Sequence, residues 1–145
     1  MIRFVFVLDS NTDSSMNKLI TRNLVLAMLV GLSACSSPPE KLGNLDLVKW
    51  RGDRGGCNDV RAGLEKDFKT IEGQLKGKFA DDIGDLLGRP DIHQLGERNQ
   101  KFYVYFLSKG EQCADIQAKS KAPKVILKFN AVGLLSEITY QSRPL

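Results

Sequence analysis

The sequence predicts an α+β domain in which two N-terminal helices pack on one face of a three-stranded antiparallel sheet, in the order ααβββ. Three observations carry this expectation. An apolar stripe with helical spacing runs from Val60 to Leu75. A second, shorter amphipathic segment stops at Leu86-Leu87-Gly88-Arg89-Pro90, where a glycine and a proline end a helix. Three segments rich in aromatic and β-branched residues then follow, the last two joined by the turn Asn130-Ala131-Val132-Gly133. Helices followed by a run of strands indicate helices segregated to one face of an antiparallel sheet.

The first helix is expected to start at Asn58, a good N-cap, and to bury Val60, Leu64, Phe68, Ile71 and Leu75, which fall at helical spacing. Gly63 and Gly73 weaken it, which leaves its end near Gly73 open. Residues 76–79 make a turn, and the second helix covers roughly residues 80–88. There Leu86 and Leu87 bury, Gly88 takes a left-handed cap and Pro90 starts an extended chain. The strands are read at 100–108, 123–129 and 134–141. Pro123 opens the second, where a missing N–H is tolerated. Asn130 and Gly133 suit a hairpin turn between the last two.

The N-terminal region reads as a targeting segment. From Met1, the apolar run comes too early and Asp9 and Asp13 follow it, so residues 1–15 read as a mis-annotated start or an extension. From Met16 the order is right: Lys18 and Arg22, then an apolar run from Leu24 to Leu32, then Ser33 and Ala34, then Cys35. That run is shorter than the roughly 20 apolar residues a bilayer span needs. Leu32-Ser33-Ala34-Cys35 resembles the lipobox of bacterial lipoproteins. The resemblance implies a signal peptide at 16–34, cleavage before Cys35, and a diacylglycerol plus an N-acyl chain on Cys35. Such multiple acylation gives durable anchoring where one chain would not. Residues 35–48, rich in Ser, Pro and Gly near their start, read as a tether, and 49–145 as the domain. Ser36 after the lipidated cysteine implies, by the sorting rule of Gram-negative lipoproteins, the outer membrane and its periplasmic face.

The 145-residue chain is 42% hydrophobic and 26% charged, with a net charge of +4, which indicates one folded domain. No Lys/Arg block reads as a nucleic-acid patch. With Cys35 lipidated, Cys57 and Cys113 remain in an oxidising compartment. A disulfide between them is the simple reading, and it would close a long loop worth about 4 kcal/mol. Two separate buried thiols, or a redox pair, are the other readings.

The segment Leu75–Asp91, the aromatic strand Asn99–Leu107 and the hairpin Val125–Ile138 together resemble the SmpA/OmlA family, the BamE-type small outer-membrane lipoproteins. The ααβββ layout is also similar to the repeat of the β-lactamase-inhibitor-protein fold. The family resemblance implies a non-catalytic binding or scaffold module facing the periplasm, accessory to outer-membrane protein assembly or envelope integrity. An inhibitor-like lipoprotein that binds an envelope enzyme is the alternative. In either case the partners are the membrane, through the lipid, and an envelope protein, with no cofactor beyond the acyl chains.

Chemistry is sparse. His93 is the only histidine and lies near Asp91, but no Ser or Cys nucleophile stands in a recognisable elbow. Asp81, Asp82 and Asp85 suit the positive end of a helix, and no metal-loop spacing surrounds them. The chain is therefore read as no enzyme and as holding no metal. The candidate partner-binding residues are Tyr103 and Tyr105, expected on the sheet face that two helices would leave bare. Trp50, Arg51 and Arg54 join them, in a Gly-rich loop with hot-spot residue types.

Overall fold

The computed structural model describes residues 37–145, and the compact unit within them spans Pro38–Leu145. Cys35 and the segment expected to be a targeting signal lie outside the described residues. The elements are β1 (Lys41–Leu42), β2 (Leu45–Asp46), α1 (Leu47–Gly52), α2 (Val60–Leu75), α3 (Ala80–Leu87), β3 (Ile92–Leu95), β4 (Lys101–Phe106), β5 (Lys124–Phe129) and β6 (Leu135–Gln141). Single 3₁₀ turns lie at Arg54–Gly56, Glu97–Asn99 and Glu111–Cys113. Strands β3-β4-β5-β6 form one antiparallel sheet in that order, and β1 and β2 form a separate ribbon.

The expected three-stranded ααβββ arrangement is overturned. The class is still α+β, but among the described residues the sheet has four strands, a two-stranded ribbon precedes it, and three helices stand where two were expected. The extra strand β3 pairs with β4 through Ile92↔Val104, His93↔Tyr103, Gln94↔Phe102 and Leu95↔Lys101. The extra helix α1 is capped by Asp46, whose carboxylate accepts from the Lys49 N–H at 3.0 Å. This contact holds the Asp46 carboxyl below its ordinary value, with desolvation acting the other way. Within the segment expected as a tether over 35–48, Leu45 and Leu47 are fully buried and belong to the core.

The expected start of the first helix and the expected end of the second are also corrected. Helix α2 begins after Asp59, at φ 56°, rather than at Asn58. Its first buried residue is Arg61, while Val60 is 37% exposed. Arg61 and Phe68 are seven residues apart, two helical turns, and so share the buried face. Gly88 has positive φ as expected, but its ψ of 175° lies outside the left-handed helical region, so it closes no left-handed cap. The β5–β6 turn forms as read. The Asn130 carboxamide oxygen accepts from the Val132 and Leu134 N–H groups, and Gly133 sits at φ 86°.

The core lies between the helices and one sheet face. Trp50 of α1 stacks on Phe68 of α2, with ring centroids 4.6 Å apart, and lies 6.1 Å from the Tyr105 ring. Tyr103, Tyr105 and Leu107 point into this layer. The opposite face is covered at one end by the 107–123 excursion, where Gln117–Ser120 lie with Phe106 and Lys124. The Lys124 ammonium is buried and donates to the Ser120 and Arg143 carbonyls at 3.0 and 2.8 Å, tying down the C-terminal segment. Burial pulls its pKa below the ordinary lysine value, with Glu111 acting the other way.

The Tyr105 hydroxyl donates to the Gly88 carbonyl at 2.8 Å. Burial pushes this phenol far above its ordinary value of 10.0; Arg61 opposes the rise and Asp91 adds to it. A raised folded-state pKa contributes stability that is complete below pH 10 and is lost as pH climbs further. Tyr105→Phe should therefore be less stable than the wild type by about 1 kcal/mol at neutral pH, through the lost hydrogen bond. Above pH 10 that gap should shrink. Urea denaturation at pH 7.5 and pH 10.5–11 checks both, and a constant gap would refute the linkage.

Candidate functional site

Three short segments meet around an open cleft of about 730 Å³: the Arg54–Gly56 turn, the Arg89–Gln94 connection into β3, and the Gln112–Gln117 loop. None of them is held by regular pairing along its whole length. Their positions depend on side-chain bonds and a cross-link.

The cross-link is the disulfide Cys57–Cys113, with Cα atoms 5.7 Å apart. It fastens the turn before α2 to the loop after β4, and both cysteines line the cleft. Beside it, the Gln112 amide donates to the Gly55 and Ser108 carbonyls, each at 2.8 Å, and its oxygen accepts from the Ser120 hydroxyl. Gly56, at φ 65°, allows the turn to press on β4: a Cβ there would stand 2.8 Å from the Phe106 carbonyl oxygen.

Beneath the cleft floor lies a buried ion pair that sequence reasoning missed. Arg61 Nη1 meets Asp91 Oδ2 at 2.6 Å, and both side chains are 1% exposed. Arg61 Nε also donates to the Trp50 carbonyl at 2.9 Å. Its guanidinium lies 5.2 Å from the Trp50 ring centroid and 5.4 Å from that of Tyr105. The Asp91 carboxylate accepts further from the Gly55 and Phe106 N–H groups at 2.9 and 2.8 Å. One carboxylate thus joins the turn, α2, β4 and the entry to β3. Asp53 repeats the device nearby, accepting from the Asn58 and Arg61 N–H groups. The available sequence signal was Arg61 at Phe68 minus seven, on the apolar face. Asp91 stood only as the residue after a helix stop and as a neighbour of His93.

The candidate binding residues separate sharply. Tyr105 is fully buried and Tyr103 is 8% exposed, so the expected exposed tyrosine surface does not exist. The helices cover the face on which the tyrosines lie, and Tyr103 reaches only the cleft margin. Trp50 is also fully buried, at the centre of the core rather than in an open loop. Among the described residues its Nε1 is the buried side-chain nitrogen or oxygen left without a partner, and nothing in the structure explains it. Arg51 is half-buried and donates to the Leu86 and Pro39 carbonyls at 2.8 and 2.9 Å, which fastens α3 and the leading segment to α1. Arg54 alone of this group is exposed, and it lines the cleft.

His93 is exposed on the same cleft, edge-on to the Tyr103 ring at 5.0 Å. The Asp91 carboxylate is engaged by Arg61 and two backbone N–H groups rather than by His93, so the sequence neighbours do not form a dyad. Asp81 and Asp82 lie in the first turn of α3. Among the described residues no three His, Cys, Asp or Glu side chains gather in a metal-binding group, and no helix is long and apolar enough to cross a membrane.

Of the titratable groups that line the cleft, Asp91 is neutralised by Arg61 beneath it, whereas Arg54 and Arg89 enter no ion pair among the described residues. The cleft is therefore a cationic concavity with walls fixed by a disulfide and a buried ion pair. No family model, curated protein or solved structure matches the chain.

Proposed function

We propose that this chain is a lipid-anchored, periplasm-facing lipoprotein of the bacterial outer membrane. It acts as a non-catalytic binding module, accessory to outer-membrane protein assembly or envelope integrity, as the SmpA/OmlA resemblance implies. The observation that carries the reading is the Cys57–Cys113 bridge. A long-range structural disulfide belongs to an oxidising compartment. It pairs two of the three cysteines and leaves Cys35, at the end of the apolar signal run, as the lipid acceptor. Anchoring then raises the effective concentration of a rigid domain near partners in the same membrane.

Expression of the full chain in a Gram-negative host, with radiolabelled palmitate and envelope fractionation, tests this. The wild type should carry label and sediment with outer membrane. Cys35→Ser should carry none and appear in soluble or inner-membrane fractions. Equal labelling of the two, or an unlabelled wild type, would overturn the anchor. Cross-linking then separates the two modes of binding: assembly-machinery subunits support the accessory role, whereas a single envelope enzyme supports an inhibitor.

A further inference from the structure

Strand β3 is an edge of the four-stranded sheet. It pairs with β4 on one side, and among the described residues no backbone hydrogen bond engages its other side. Natural edges are commonly blunted by Lys, Pro, bulges or a covering segment. Ile-His-Gln-Leu, at 92–95, contains no Lys or Pro, and its register with β4 runs without a bulge. His93, Gln94 and Leu95 are exposed, Leu95 to 75%. Consecutive residues Ile92, His93 and Gln94 all line the cleft, so the cleft follows the strand edge itself rather than one face of it. Among the described residues its unpaired charges are Arg54 and Arg89, and its lining also offers the polar side chains of Gln94 and Gln117.

We propose that the cleft is a docking site for an extended acidic peptide segment of a partner protein. The segment adds as a strand to the β3 edge and places a Glu or Asp carboxylate against Arg54 and Arg89. Main-chain bonds to the edge supply affinity, and the two guanidinium groups select the acidic side chain, since planar Arg forks match carboxylates. A structural purpose follows for the knot below. Asp91 must be neutralised from underneath by Arg61 for the cleft to keep its positive balance, and the disulfide fixes Arg54's turn in place before the ligand arrives.

This deepens the binding-module reading and rests on it, but the two fail separately. A lipidated chain that binds no such peptide overturns only the present proposal, and a peptide-binding chain without lipid overturns only the anchor. The test is fluorescence anisotropy with the full chain in detergent micelles. The probe is a fluorescein-labelled, end-capped hexapeptide, Thr-Glu-Val-Glu-Val-Thr, with its Gln-for-Glu counterpart as comparison.

The Glu peptide should bind at least about tenfold more tightly than the Gln peptide, and binding should weaken as salt rises. Arg54→Gln and Arg89→Gln should each weaken it several-fold, and the double variant should remove the preference for Glu. Both arginines are exposed, so retention of the wild-type unfolding midpoint verifies that the variants fold. The Glu peptide with alternate amides N-methylated should lose binding. Equal binding of the Glu and Gln peptides, an unaffected double variant, or full binding of the N-methylated peptide would each overturn the proposal. So would inorganic phosphate binding as tightly as the peptide, which would make the cleft a small-anion pocket.

Discussion

Arg61→Met is expected to lower the unfolding free energy of the domain by about 3–5 kcal/mol, the usual consequence of removing one partner from a buried ion pair. The substitution keeps much of the side-chain volume, so the loss reports chemistry rather than a cavity. The Asp91 carboxylate would remain 1% exposed with its Gly55 and Phe106 N–H bonds but without its cation. The Trp50 carbonyl would lose its donor as well. Urea denaturation followed by the fluorescence of Trp50, the only tryptophan, measures the change. Lys128→Met is the control. The Lys128–Glu137 pair is 3.6 Å apart, with side chains 37% and 55% exposed, and should be worth less than about 1 kcal/mol. Similar losses in the two variants would show that burial of the Arg61–Asp91 pair carries no special weight.

Cys57→Ser/Cys113→Ser should lower the unfolding free energy by about 4 kcal/mol, because the bridge spans 56 residues and withholds that much loop entropy from the unfolded chain. Reductant should move the wild type to the stability of the double variant and leave the variant itself unchanged. A small domain holds only about 5–15 kcal/mol in total, so the reduced protein is marginal. The Gln112 bonds to Gly55 and Ser108 cross the same junction and would have to hold it alone. A loss below about 1 kcal/mol would mean that they already do, with the cross-link redundant. Since the bridge positions the Arg54 turn, peptide binding should weaken along with stability.

Local patterns were legible wherever one face of an element meets the core. The amphipathic segments of α2 and α3 and the aromatic runs of β4, β5 and β6 appear as elements close to their expected positions, because burial of one face imposes period 3.6 or 2 on the residues. The two cysteines available for pairing also form their bridge. Strand β3 was not legible. Its four residues show no alternation, and three of them are exposed. Its turn into β4 places Arg98 and Asn99 at φ 54° and 59°, without the Asn-Gly or Asp-Gly that marks a tight hairpin. Helix α1 is six residues long, too short for periodicity to register, and its second half looked like a loop because Gly52, Gly55 and Gly56 follow so closely.

The site depended still more on tertiary structure. Alternation correctly assigned Tyr103 and Tyr105 to one side of β4, but alternation alone does not say which side the helices take, and they took that one. Trp50 was read as loop because the chain around it is glycine-rich, yet its ring is fully buried, stacked against Phe68. Asp91 and Arg61 are 30 residues apart and attract only once α2, β3 and β4 have met. By itself, then, the sequence determined the two longer helices and the three longer strands, because period and turn chemistry are local. Only the tertiary structure decided which charges are paired in the core and which, at Arg54 and Arg89, are left facing the cleft, because desolvation and pairing depend on what the fold brings alongside.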